Sequence, residues 1–129
     1  MPRKPSPQPN ELEVEILRVL WQKGQCSARE IHNALAPQRN TRVSSTTKML
    51  QVMVDKGLLV RHESQRPIRF APAQPQEATQ GEIVHDLIER VFGGAAEKMI
   101  LSAVQKGKLT AEQLAEIRNT IARMERDQP

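Results

Sequence analysis

Aromatic residues are nearly missing from this chain, which has no tyrosine, one tryptophan and two phenylalanines in 129 residues. Readers of RNA and of single strands stack bases on aromatic rings, so that mode of recognition has almost nothing to work with here. Cysteine is scarcer still. The lone Cys26 cannot close an intramolecular disulfide and has no cysteine partner for a zinc site, which fits a reducing cytoplasm; read alone it is a small half-buried residue. No run of about 18 apolar residues exists, so a membrane-spanning helix is not expected. The opening MPRKPSPQPN carries charge and four prolines with no apolar stretch behind it, unlike a secretory leader.

Catalytic and metal-binding constellations are wanting too. His32, His62 and His85 fall on three separate expected elements and only the first lies near Cys26, so a metal site or a Cys-His nucleophile would need a convergence the pattern does not supply. No cofactor is expected, and the chain does not read as an enzyme. Gly93-Gly94 has neither the preceding strand nor the Gly-Lys-Ser/Thr of a phosphate loop and reads as a helix break.

What the sequence does have is unevenly placed positive charge. The formal net charge is +4 and the isoelectric point is near 9.6. Residues 1–73 hold 12 Lys and Arg against 6 Asp and Glu, whereas residues 74–129 hold 7 against 9. Such asymmetry is the footprint of a polyanion on the front half alone, chance basicity being the alternative. With stacking rings so scarce, duplex DNA is the polyanion that remains.

The pattern along the chain is mainly α with a small β-hairpin. Residues 1–9 read as a disordered arm in which Arg3 and Lys4 could touch a phosphate. Asn10 with Glu13 has the offset of a capping box. The helix it opens buries Leu12, Ile16, Leu17, Leu20 and Trp21 and ends at Gly24; its early Glu11, Glu13 and Glu15 suit the positive end of the helix dipole. Ser27 with Glu30 repeats the box before a short helix through Ala28, Ile31, Ala34 and Leu35 that stops near Pro37. A polar link carrying Arg39 and Arg42 leads to a helix over residues 44–56, with Ser44 or Ser45 as N-cap and Lys56-Gly57 as its end. A hairpin through Leu58, Leu59, Val60, Ile68 and Phe70 follows, and APAQPQ, Ala71 to Gln76, reads as a linker. Helix-turn-helix followed by a basic wing at residues 58–72 makes residues 10–73 a winged-helix domain.

Residues 74–129 read as helical. Ile83, Val84, Leu87, Ile88, Val91 and Phe92 form one stripe; Met99, Ile100, Ala103 and Val104 form a second; and Thr110 with Gln113 caps a helix carrying Leu114, Ile117, Ile121 and Met124. Three short helices enclose little volume, so burial against an identical copy is the economical solution. The residues expected to line that homodimer contact are Ile83, Leu87, Ile88, Val91, Phe92, Ile100, Leu114, Ile117 and Ile121; folding back on the front half is the alternative.

Chemistry concentrates on VSSTTKMLQVMVDKGLL, Val43 to Leu59. Val43, Thr46, Met49, Leu50, Met53 and Val54 share one helical side. The opposite side shows Ser44, Ser45, Thr47, Lys48 and Gln51 where a surface helix usually shows Glu and Lys. Short side chains that donate and accept hydrogen bonds are what a helix entering the major groove needs. Thr47, Lys48 and Gln51 are therefore the candidates for base edges, with Asp55 turned away. Arg42, Ser44, Ser45, Arg61 and Arg66 are the candidates for phosphates, Arg66 at the wing tip. A cap plus a solvated face is the bland account of the same residues, and a winged-helix protein-interaction module without specific DNA binding is the competing function.

Several stretches together carry a family resemblance: ELEVEILRVLWQKGQCSAREIHNAL, SSTTKMLQVMVDKGLLVR, the FAPA end of the hairpin, and ERVFGGAAEKMILSAVQKGKLTAEQLAEIRNTI. From about Asn10 to Met124 the chain resembles the penicillinase repressor family, the BlaI/MecI/CopY transcriptional repressors. The resemblance implies a dimeric winged-helix repressor that binds a palindromic operator through its N-terminal domain and dimerises through its C-terminal helices. Departures are informative. Family members that respond to β-lactams are cut at an Asn-Phe bond where this chain has Ser102 and Ala103, and copper-responsive members carry paired cysteines near a C-terminus that here has none. Val43 and Val52 stand where the family commonly has an aromatic residue and an arginine, which points to a different operator sequence or affinity.

Overall fold

The computed structural model describes residues 8–35 and 42–129. Arg3 and Lys4 of the arm, and Pro37 and Arg39 before the third helix, lie outside the described residues. Among the described residues the order is α1 (Glu11–Lys23), β1 (Cys26–Ser27), α2 (Ala28–Leu35), α3 (Val43–Asp55), β2 (Leu59–His62), β3 (Arg69–Pro72), α4 (Gln76–Val91), α5 (Ala96–Lys106) and α6 (Ala111–Asp127). The front portion is a winged helix: three helices followed by a β2–β3 hairpin. The chain divides into two compact units between Val84 and His85, inside α4.

α1 begins as the capping box requires. The Glu13 N–H donates to Asn10 Oδ1 and the Asn10 N–H donates to Glu13 Oε1, both at 2.9 Å. The front core is Ile16, Leu17 and Leu20 from α1, Ile31 and Leu35 from α2, Leu50 and Met53 from α3, with Cys26, Leu59 and Phe70 from the sheet. These are the stripes at helical spacing read from the sequence, completed by strand residues.

The sheet has three strands, not the two of a bare hairpin. Its order is β1-β3-β2, with Cys26 opposite Phe70 and Ser27 opposite Arg69, and with Leu59 opposite Pro72 and His62 opposite Arg69. β1 escapes sequence reading because two residues cannot display an alternation. It forms because the chain turns at Gly24 after α1 and because Arg69 Nη1 donates to the Gln25 carbonyl at 3.0 Å. The linker is likewise shorter than expected. Ala71 and Pro72 belong to β3 and Gln76 opens α4; the Pro75 carbonyl accepts the Ala78 and Thr79 N–H groups, so the proline precedes the helix as its cap.

α3 also begins earlier than expected. Arg42 is its N-cap, with extended backbone and no side-chain capping bond, so neither Ser44 nor Ser45 caps it; both lie within the first turn. Val43 is half-buried and continues the stripe of Thr46, Leu50 and Met53, and packing of that stripe outweighs the preference for a serine cap. The other end is a Schellman motif. The Leu58 N–H donates to the Met53 carbonyl at 2.9 Å and the Gly57 N–H to the Val54 carbonyl at 3.0 Å, an arrangement that needs the left-handed backbone of Gly57, at φ 81°.

Two polar ties fix α3 in the core. Thr46 is buried and its Oγ1 lies 2.9 Å from His32 Nδ1 on α2. At the far end, Lys56 Nζ donates to Glu13 Oε1 at 2.7 Å, with the carboxylate 1% and the ammonium 18% exposed. Glu13 thus does more than cap α1 and face its dipole. Removing one partner of a buried pair strands the other, whereas a lysine near the surface can reach water. Lys56→Met is therefore expected to cost about 2–4 kcal/mol, Glu13→Gln about 1–2 kcal/mol, and the double substitution less than their sum. Urea denaturation of the four proteins measures this, and strict additivity would show that the pair is not coupled.

Candidate nucleic-acid interface

The outward side of α3 carries Ser44, Ser45, Thr47 and Lys48, all exposed, and Gln51, which is half-buried. The Ser45 and Thr46 N–H groups donate to the Arg42 carbonyl at 3.0 and 3.3 Å, so the Ser45 N–H is already engaged. Thr47 Oγ1 donates to the Val43 carbonyl at 3.1 Å and keeps its lone pairs outward. Lys48 makes no hydrogen bond or ion pair among the described residues.

Gln51 is the best-connected residue of the face. Its Nε2 donates to Asp55 Oδ1 at 3.0 Å, and its Oε1 accepts from Arg61 Nη1 at 2.9 Å. Asp55 therefore stands beside Gln51 one turn on. Arg61, on β2, also places Nε 3.6 Å from Glu63 Oε1. A guanidinium has five N–H donors, so those contacts leave it donors to spare.

The wing arginines divide into two kinds. Arg66 at the tip folds Nη1 onto the Glu63 and Gln65 carbonyls of its own turn, at 2.5 and 3.1 Å, and stays exposed. Arg69 is a fastener, holding the Gln25 carbonyl at 3.0 Å and facing Glu30 Oε1 at 3.4 Å. Glu30 closes the α2 capping box: its N–H donates to Ser27 Oγ at 3.2 Å and its Oε1 accepts the Ser27 N–H at 3.1 Å. The Ser27 backbone N–H and then its side chain hold the Glu30 carboxyl below the usual carboxylate range. Burial, reinforced by the Glu30 charge, pushes the neighbouring Cys26 thiol up. A buried, protonated thiol is an inert core residue.

Between α3 and the wing lies an open groove of ≈ 470 Å³, with Ala28, Val43, Ile68 and Phe70 as its apolar part and Arg29, Arg61 and Arg66 among its lining. Among the described residues no group of three or more His, Cys, Asp or Glu could hold a metal ion, and no helix is long and apolar enough to cross a membrane. His62 Nε2 lies 3.3 Å from Gln25 Nε2, a tie from β2 to the start of β1 that the sequence did not signal.

The C-terminal helices present a different surface. α5 runs to its Gly107 C-cap, and α6 opens with the Thr110–Gln113 capping box, bonds at 2.9 and 3.1 Å. Neither helix has a buried residue. Of the residues expected to line a dimer contact, Ile83, Ile88, Phe92, Leu114 and Ile117 are half-buried, while Leu87, Val91, Ile100 and Ile121 are exposed. Val91 is 68% and Met124 62% exposed.

Fold and surface define a class: a winged helix whose third helix carries a polar outer side flanked by a basic hairpin, followed by helices without a core of their own. The penicillinase repressor family description matches residues 10–123. The chain belongs to that family. It is 22% identical over 114 residues to the penicillinase repressor of Bacillus licheniformis, covering 88% of this chain and 89% of that protein. It is 20% identical over 109 residues to the methicillin resistance regulatory protein MecI of Mammaliicoccus sciuri, covering 84% and 89%. MecI of Staphylococcus aureus strain N315 matches the same length at 19%.

The two kinds of arginine are separable by stability. Arg69→Ala is expected to cost about 1–2 kcal/mol, because it removes the hydrogen bond to the Gln25 carbonyl and the ion pair with Glu30, whereas Arg66→Ala is expected to stay within about 0.5 kcal/mol of the parent. Thermal or urea unfolding decides it, and equal losses would contradict the division.

Proposed function

We propose that this protein is a transcriptional repressor that binds duplex DNA as a homodimer at a palindromic operator. The observation that carries the reading is the outward side of α3, polar, exposed and flanked by Arg42, Arg61 and Arg66. Membership in a repressor family supports it. In this reading α3 enters the major groove, with Thr47, Lys48 and Gln51 meeting base edges. Ser44, Ser45 and Arg42 meet the phosphates beside the helix start, and Arg61 and Arg66 those beneath the wing. The domain that reads DNA is residues 10–73, and residues 74–129 supply the dimer contact. The stripes of Leu87, Ile88 and Val91 on α4, of Ile100 on α5, and of Leu114, Ile117 and Ile121 on α6 would be covered by the second copy. A two-fold dimer sets two α3 helices about one helical turn of DNA apart or a multiple of it, so the site is an inverted repeat.

Salt decides between this reading and a protein-interaction module. A dimer neutralising roughly 6 to 8 phosphates loses affinity for its duplex with a log-log slope of about −5 to −7. An apolar protein contact barely responds. Titration of fragments selected from a random duplex pool provides the slope. Lys48→Ala is expected to relax sequence preference by about tenfold, while Arg66→Ala weakens specific and random duplexes alike. Identical behaviour of these variants on both duplexes would remove the assignment of roles.

A further inference from the structure

Asp55 sits where helix stability disfavours it. It is the last residue of α3, at the negative end of the helix dipole, with no basic residue in that last turn. Its partner is Gln51, whose Nε2 donates to Asp55 Oδ1 at 3.0 Å while Gln51 Oε1 accepts from Arg61 Nη1 at 2.9 Å. An ionised carboxylate only accepts and a guanidinium only donates. The Gln51 amide therefore has one permitted orientation. Rotated by half a turn, it would set N–H against N–H at Arg61 and oxygen against oxygen at Asp55.

One N–H and one lone pair of the amide remain for a partner. Adenine offers the complementary set in the major groove, an acceptor at N7 and a donor at N6, whereas guanine offers two acceptors and would set O6 against the amide oxygen. A freely rotating glutamine can serve either A·T or T·A by turning its amide. A held one serves a single strand orientation.

We propose that Asp55 is a positioning residue which, with Arg61, locks the Gln51 amide so that α3 selects adenine in one strand orientation at one base pair of each half-site. This rests on the reading of α3 as the helix in the major groove. Arg61 keeps N–H groups for a phosphate while it holds Gln51, so a backbone contact and a base preference are joined through one side chain.

The test is selection from a randomised duplex pool with the full chain and with Asp55→Ala, followed by titration of single-position variants of the recovered site. The parent is expected to prefer A·T over T·A and over G·C at one position per half-site by about tenfold. Asp55→Ala is expected to lose the distinction between A·T and T·A at that position while preferences elsewhere persist. Its affinity for scrambled duplex should rise, because a negative charge beside phosphates is gone. Asp55→Asn keeps an accepting oxygen and is expected to retain most of the preference. If Asp55→Ala discriminates A·T from T·A as the parent does, the lock is overturned and the major-groove reading stands. If the parent itself binds all duplexes alike, the major-groove reading fails and the lock falls with it.

Discussion

The front domain turns on one carboxylate. Glu13 is 1% exposed and its Oε1 accepts both the Asn10 N–H at 2.9 Å and Lys56 Nζ at 2.7 Å. A charge so far from water is tolerable only with its hydrogen bonds made, and an unpaired one costs several kcal/mol, comparable with much of the stability of a small domain. The two donors come from the start of α1 and the end of α3, 43 residues apart from Glu13 in the second case. Nonpolar packing holds the helices together without fixing their rotation. This contact and the His32–Thr46 bond at the opposite end of α3 fix which side of that helix is turned out.

Presentation of the outer side follows from those anchors. With Thr46, Leu50 and Met53 buried, the opposite side of the helix is turned outward, and it carries Ser44, Ser45, Thr47 and Lys48. The hairpin then adds cations from a second direction. Arg61 is held by Gln51 and Glu63, and Arg66 by carbonyls of its own turn, so both side chains are partly ordered before any partner arrives. Ordering a long side chain in advance lowers the entropy lost on binding. The same bonds compete with a phosphate for the guanidinium donors, so what the face gains in order it gives up in raw electrostatic pull.

Local signals of the chain were legible where one residue type has one dominant use. The Asn10–Glu13, Ser27–Glu30 and Thr110–Gln113 boxes and the ends at Gly24 and Gly57 all stand where spacing placed them. The apolar stripes of α1, α2 and α3 point into the core for the same reason. Signals were lost where a residue's use is decided by something distant in sequence. Cys26–Ser27 is a strand only because β3 lies beside it. Ser44 and Ser45 have the chemistry of caps, yet the helix starts sooner, at the half-buried Val43. Glu13 reads as a capping residue whether or not Lys56 meets it. Of the face proposed for DNA, its location and residue types were visible, but the chain from Asp55 through Gln51 to Arg61 was not, because it joins α3 to a strand ten residues on.

The two units differ in how they can be stable, and that difference bears on the proposed repressor. The front unit has a core of its own, closed by Leu59 and Phe70 from the sheet, so its fold does not depend on concentration. α5 and α6 have no buried residue, so their order would be coupled to whatever covers their apolar stripes, and with a second copy it varies with protein concentration. Joining two reading units through such a contact makes the second half-site an intramolecular target, with an effective concentration set by geometry rather than by solution. A single reading unit can then bind weakly while the dimer binds tightly and selectively, because the spacing of the half-sites is itself discriminated. In the proposed dimer, loosening the contact between the helices would release DNA without altering one residue of the surface proposed to face it.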